Sequence, residues 1–107
     1  MINEFGTKLD ANGYAPSVVD YYGTVMERCY ICDWRGDLAR HEVFGGANRK
    51  KSKAYGLWVL LCPRCHMNLH DHPNDGRWLK KLAQRQAMGH YGWSVEDFRE
   101  RFGKSYV

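Results

Sequence analysis

The sequence predicts one small α+β domain, a two-stranded hairpin and a helix built around a metal, and three observations predict it. Two CxxC pairs, Cys29/Cys32 and Cys62/Cys65, stand 29 residues apart. Between them lie two stretches with the β-branched and aromatic content of strands, "ARHEVF" and "YGLWVLL", separated by a glycine-led basic loop, "GGANRKKSKAY". From Pro63 onward the apolar residues recur at helical spacing. A chain of 107 residues is naturally one domain, and its modest core gains from a metal staple. The hydrophobic fraction of 44% is enough for a core and excludes a chain disordered throughout. No apolar run reaches the length of a membrane span, and "MINEFGTKLD" lacks the basic start and apolar centre of a signal peptide. The expected compartment is the cytoplasm.

The elements follow in order. Residues 1–26, with "ANGYAPS" among them, mix Gly, Asn, Pro and Tyr without periodicity and predict an irregular N-terminal arm. Residues 27–72 form the metal-containing core: "CYIC" to "GDL" as a knuckle and turn, then the two strands and their loop. A short helix opens at Pro63, where proline suits the first turn, and runs until "HPNDG" breaks it. Residues 73–107 carry two further helices. The first, over "RWLKKLAQRQAMGHYG", is capped by Asn74 or Asp75; its stripe of Trp78, Leu79, Leu82, Ala83 and Ala87 faces the core, with Arg77, Lys80, Lys81 and Arg85 opposite. The second, over "VEDFRERF", opens with a Ser94/Asp97 capping box and ends before Gly103. No internal repeat or long linker divides the chain.

A reducing cytosol disfavours disulfides and leaves thiolates for metals. Cys29, Cys32, Cys62 and Cys65 have the ladder of two knuckles closing a tetrahedral structural zinc site. Buried free thiols or a disulfide are the plainer alternative, and a lone redox CxxC leaves the second pair without a role. His66 and His70 are four residues apart and share a face of the Pro63 helix, whereas Cys65 is turned about 100° from His66. One helix then presents two faces, with cysteines toward the zinc and histidines toward a second, divalent ion. Two histidines near a helix end are, by themselves, ordinary polar surface; His41, on the first strand, is the partner that gives them a site.

Charge is uneven. From Val43 to His70 there are five basic residues (Arg49, Lys50, Lys51, Lys53 and Arg64) and no acidic one, so the rest of the chain sums to −1 against a net +4. A local basic patch favours phosphate contacts, although "NRKKSK" in isolation also reads as a solvated loop.

The order of CxxC knuckle, His-bearing strand, glycine-led basic loop, apolar strand running into "LCPRCH", and a further His one turn on resembles the HNH nucleases of the ββα-metal fold. The likeness covers residues 29–70, about 40% of the chain, and "HEVFGGANRKKS" and "YGLWVLLCPRCH" are most similar to small HNH proteins of phages and prophages. The resemblance implies metal-dependent hydrolysis of DNA, leaving a 5′-phosphate and a 3′-hydroxyl. His41 would be the general base. His66 and His70 would hold Mg²⁺ or another divalent ion such as Mn²⁺, Ni²⁺ or Zn²⁺, and the cysteine zinc would be structural. DNA would meet Arg49, Lys50, Lys51, Lys53, Arg64 and, next to the base, Arg40. Two positions depart from the family pattern. Arg40 stands where an Asp or His usually adds a ligand, which only Glu42 could replace. No Asn precedes the "LC", leaving Asn48 and Asn68 as stand-ins. The same fold without cleavage would be a zinc-stabilised DNA-binding module; a third alternative is a zinc protein that binds another protein through its C-terminal helices.

Overall fold

The computed structural model describes residues 1–20 and 27–107. Strand β1 (Ala39–Glu42) pairs antiparallel with β2 (Trp58–Leu61), with Ala39 opposite Leu61 and His41 opposite Val59. Because side chains alternate along a strand, His41 and Arg40 leave β1 on opposite faces. Val59 and Leu61 are wholly buried and join Phe44, Leu57, Leu79 and Phe98 in the core. The hairpin is therefore anchored through β2, while β1 is free to present polar side chains.

The basic connection between the strands is helical rather than a loop. A 3₁₀ turn (Gly46–Asn48) leads into α1 (Arg49–Ala54). Arg, Lys and Ala are good helix formers, and the local cause of closure is Ser52. Its buried hydroxyl accepts from the Phe44 N–H (3.2 Å) and donates to the Leu57 carbonyl (2.5 Å), tying both ends of the connection together. Gly56 follows at φ +73°, and a Cβ there would lie 2.2 Å from the Pro16 carbonyl oxygen, so a side chain is excluded.

Helix α2 (Pro63–Asp71) begins where proline predicts and stops before the 3₁₀ turn Pro73–Gly76. Helix α3 (Arg77–Tyr91) is not capped by Asn74 or Asp75, which lie inside that turn. Gly76 holds the cap position, and the Asn74 side chain instead accepts from the Arg77 guanidinium at 3.1 Å. Leu79, Ala83 and Ala87 are buried as the stripe predicts, and Leu82 is half-buried. Trp78 is not: it is 46% exposed and stacks its ring on Tyr30. Gln84, unremarked in the stripe, is fully buried and holds the C-terminal tail, accepting from the Tyr106 N–H (2.6 Å) and donating to Ser105 Oγ (3.0 Å). Helix α4 (Val95–Phe102) has the predicted capping box, with Asp97 N–H to Ser94 Oγ at 3.1 Å and Ser94 N–H to Asp97 at 2.9 Å, and ends on left-handed Gly103.

The N-terminal segment is irregular, but it is packed rather than loose. The Trp58 indole donates to the Ala15 carbonyl (2.7 Å), Ser17 Oγ to the Trp58 carbonyl (2.7 Å) and the Val18 N–H to the Gly56 carbonyl (2.9 Å), while Arg101 pairs with Glu4 at 2.8 Å. Such hydrogen bonds contribute about 1 kcal/mol each. Residues 21–26, the end of the expected arm, lie outside the described residues. No helix among the described residues is long and apolar enough to cross a membrane.

Candidate metal centre

Two knuckles converge on one point. In the first, the Cys29 carbonyl accepts from the Asp33 N–H (2.9 Å), the Cys29 N–H donates to the Trp34 carbonyl (2.9 Å), and Asp33 adopts φ +64° to complete the turn. The Tyr30 N–H binds the Leu60 carbonyl (2.8 Å), which fastens this turn to β2. In the second, Cys62 is the N-cap of α2, its sulfur facing the Cys65 N–H at 3.4 Å. The four sulfurs lie within 4.8 Å of one another, with Cys32 and Cys62 3.7 Å apart. Sulfurs sharing a tetrahedral zinc at about 2.3 Å are separated by about 3.8 Å, so this donor set is positioned to hold a metal ion such as zinc.

The thiols carry the cost of this crowding. Burial first, then hydrogen bonds with Cys62, Cys32 and Cys29, pushes the Cys65 thiol up to about 12. Burial also pushes Cys29 upward, but backbone N–H groups of Cys62, Cys32 and Ile31 outweigh it and bring Cys29 down to about 7. A bound cation removes the conflict by favouring the thiolate at every position.

The histidines form a separate group. His41 from β1 faces His66 and His70 from α2, with ring centroids 5.2 and 6.1 Å away, and the two α2 rings are 4.7 Å apart. Their nearest ligand nitrogens lie within 4.8 Å of one another, so a metal ion also fits here. Burial, and then the two neighbouring imidazoles, pulls His41 down to about 4; burial and then His70 lower His66. His41 is thus neutral near pH 7, the form that accepts a proton or ligates a metal. The three rings line a cavity of about 550 Å³, bounded also by Glu42, Gly45, Leu69 and Lys80. In the cysteine cluster Cys29 and Cys62 are buried, Cys65 half-buried and Cys32 exposed, while in the histidine cluster His41 and His66 are half-buried and His70 is exposed.

Of the basic residues expected at DNA, Arg40 and Arg49 line the histidine cavity and the others lie outside it. Arg40 pairs with Asp10 at 2.7 Å and lies over the Tyr14 and Trp58 rings, turned to the N-terminal segment. Glu42, 9% exposed, pairs with Arg49 at 2.5 Å and is not grouped with the histidines. Lys51 donates to the Arg101 carbonyl (2.6 Å), and Lys53 sits over the Tyr14 ring. Lys50 and Arg64 are exposed without a side-chain partner among the described residues. Asn48 donates to the Phe102 carbonyl (2.9 Å), so it serves the packing of α4 rather than the cavity. Lys80 lines the cavity although the sequence places it on the solvent side of its helix. Chain spacing sets Lys80 at i+3 from Arg77 but does not set which way α3 packs.

Fold and site define a class: a small α+β protein with a two-stranded sheet, four helices among the described residues, and a four-cysteine cluster positioned to hold a metal ion such as zinc. Comparison with family models, curated proteins and solved structures returned no match.

Proposed function

We propose that this chain is a metal-dependent endodeoxyribonuclease of the HNH type. The observation that carries the reading is His41, held on a strand and facing two helix-borne histidines one turn apart across an open, water-accessible cavity. His66 and His70 would hold the divalent ion, which supplies positive charge to the phosphorus transition state and the departing oxygen. His41 accepts a proton from the attacking water as its oxygen bonds to phosphorus. The P–O3′ bond breaks, and the released oxygen takes a proton to become a 3′-hydroxyl, leaving a 5′-phosphate. Cys29, Cys32, Cys62 and Cys65 would hold a structural zinc that joins the first knuckle and the end of β2 to α2, so that the histidine rings keep their spacing. Arg40, a cation paired with Asp10, offers no ligand, and Glu42, which lines the cavity, is paired with Arg49.

That shortage of protein ligands is what favours a second reading, a zinc-stabilised DNA-binding module without cleavage. Purified zinc-loaded protein should nick or cut duplex DNA with Mg²⁺, Mn²⁺ or Ni²⁺. His41→Ala should lower the rate by roughly 100-fold or more with zinc content unchanged. Cleavage indifferent to His41 sinks the nuclease reading, and DNA binding without cleavage in any of these ions favours the module.

A further inference from the structure

Four cations meet where α3 and the C-terminal tail come together. Arg77, Lys80 and Lys81 stand at i, i+3 and i+4 on α3 and therefore share a face, with neighbouring positions about 5–6 Å apart. Lys104 comes to them from the tail, which Gln84 pins against α3 through Ser105 and Tyr106. Together with Pro73 and Tyr106 these residues line a groove of about 390 Å³ that has no carboxylate in its walls. Lys80 and Pro73 also line the histidine cavity, so groove and cavity adjoin.

Compensation distinguishes this groove from the two arginines that line the histidine cavity. There, Arg40 and Arg49 are paired with Asp10 and Glu42. In the groove no cation pairs with a carboxylate among the described residues. Arg77 touches only the neutral Asn74, and Lys80 and Lys104 lie 5.7 and 4.9 Å from the Tyr106 ring centre. Four uncompensated cations around one groove cost repulsion, which a polyanion relieves. Their spacing along one helix face suits successive phosphates of a strand, and a strand lying there continues over Lys80 to the three imidazoles.

We infer that the groove formed by Arg77, Lys80, Lys81 and Lys104 binds one strand of DNA by its phosphates and leads it into the histidine cavity. The role of the cavity at its end rests on the nuclease reading above; the binding does not.

The test measures the two separately. Fluorescence anisotropy of zinc-loaded protein with a labelled DNA duplex, without added divalent ion, gives affinity as a function of salt. Arg77→Gln/Lys81→Gln/Lys104→Gln should weaken binding at least about tenfold and flatten the salt slope by about 2 to 3, the loss of three phosphate contacts. A control that removes equal charge from elsewhere, Arg35→Gln/Lys50→Gln/Arg64→Gln, should lose less than about threefold. With Mn²⁺, the groove variant should hydrolyse bis(p-nitrophenyl) phosphate, which is too small to span the groove, at the wild-type rate. A groove variant that binds DNA as wild type does, a control that loses as much, or a wild type without salt-dependent binding overturns the inference. Groove-dependent binding with no hydrolysis of either substrate by wild type upholds the groove and sinks the nuclease reading.

Discussion

The two ends of α2 do opposite things with the same kind of residue spacing. At its N-terminus, Cys62 and Cys65 turn into a cluster whose backbone is fixed from both sides, by the Cys65 N–H on Cys62 and by the Tyr30 to Leu60 hydrogen bond. One turn on, His66 and His70 face an open cavity and His41 on β1. A closed donor set leaves no position for substrate, and an open one does. The difference teaches that a rotation of about 100° per residue lets one nine-residue helix present cysteines to one cluster and histidines to another.

Breaking the staple should have the greatest consequence. Cys29→Ser removes one of four ligands from a cluster that links the first knuckle, β2 and α2. Metal analysis should show loss of tightly held zinc, and thermal unfolding should fall by on the order of 15 °C. Retention of one zinc per chain and an unchanged melting temperature would show that the cysteines are not the staple.

Changes on the other face should spare stability and alter the second ion alone. His66→Ala or His70→Ala should weaken Mn²⁺ or Ni²⁺ binding in titration calorimetry by about tenfold or more, with zinc content and melting temperature as in wild type. His41→Ala should leave that affinity within a few-fold. If all three alanine variants lose the ion equally, His41 is a third ligand and the base must be sought elsewhere.

The smallest effect concerns neither face but the contact that joins the two ends of the chain. The Arg101 guanidinium, and after it the Tyr55 hydroxyl, holds the Glu4 carboxyl down at about 2 from 4.5. A depressed carboxyl stabilises the fold above its unfolded value, and that stability is lost as pH falls from about 4.5 toward 2. Since Glu4 is 41% exposed, solvent screening limits the contribution to about 1 kcal/mol or less. Urea midpoints at pH 7 and pH 3 should therefore differ slightly more for wild type than for Glu4→Gln. Equal differences in the two proteins would assign the pH dependence to other groups.

Much of this was legible in the chain. Ligand chemistry is written in residue type and spacing, so both CxxC pairs and the H-x3-H pair could be found and separated by helical period alone. Strands and helices with strong local signals, such as Pro63 opening α2 and the Ser94/Asp97 box, also fell where they were expected. The errors came where a distant partner decides. Nothing near "NRKKSK" says that Ser52 will close it into a helix through Phe44 and Leu57. Nothing near Arg40 says that Asp10, thirty positions earlier, will claim its charge. Trp78 matches the core spacing, yet it is 46% exposed and stacks on Tyr30.

Residue type and local period thus determine which atoms can bind a metal and which face of α2 they share, because both are properties of a few adjacent residues. Packing decides which charges remain available. In the basic segment singled out by composition Arg49 is paired with Glu42 and Lys51 reaches the distant Arg101 carbonyl, whereas the lysines and arginine of α3, read as an ordinary solvent face, meet Lys104 because a buried Gln84 fixes the tail beside them. Coulomb energy depends on distance in space, and the sequence gives distance only along the chain.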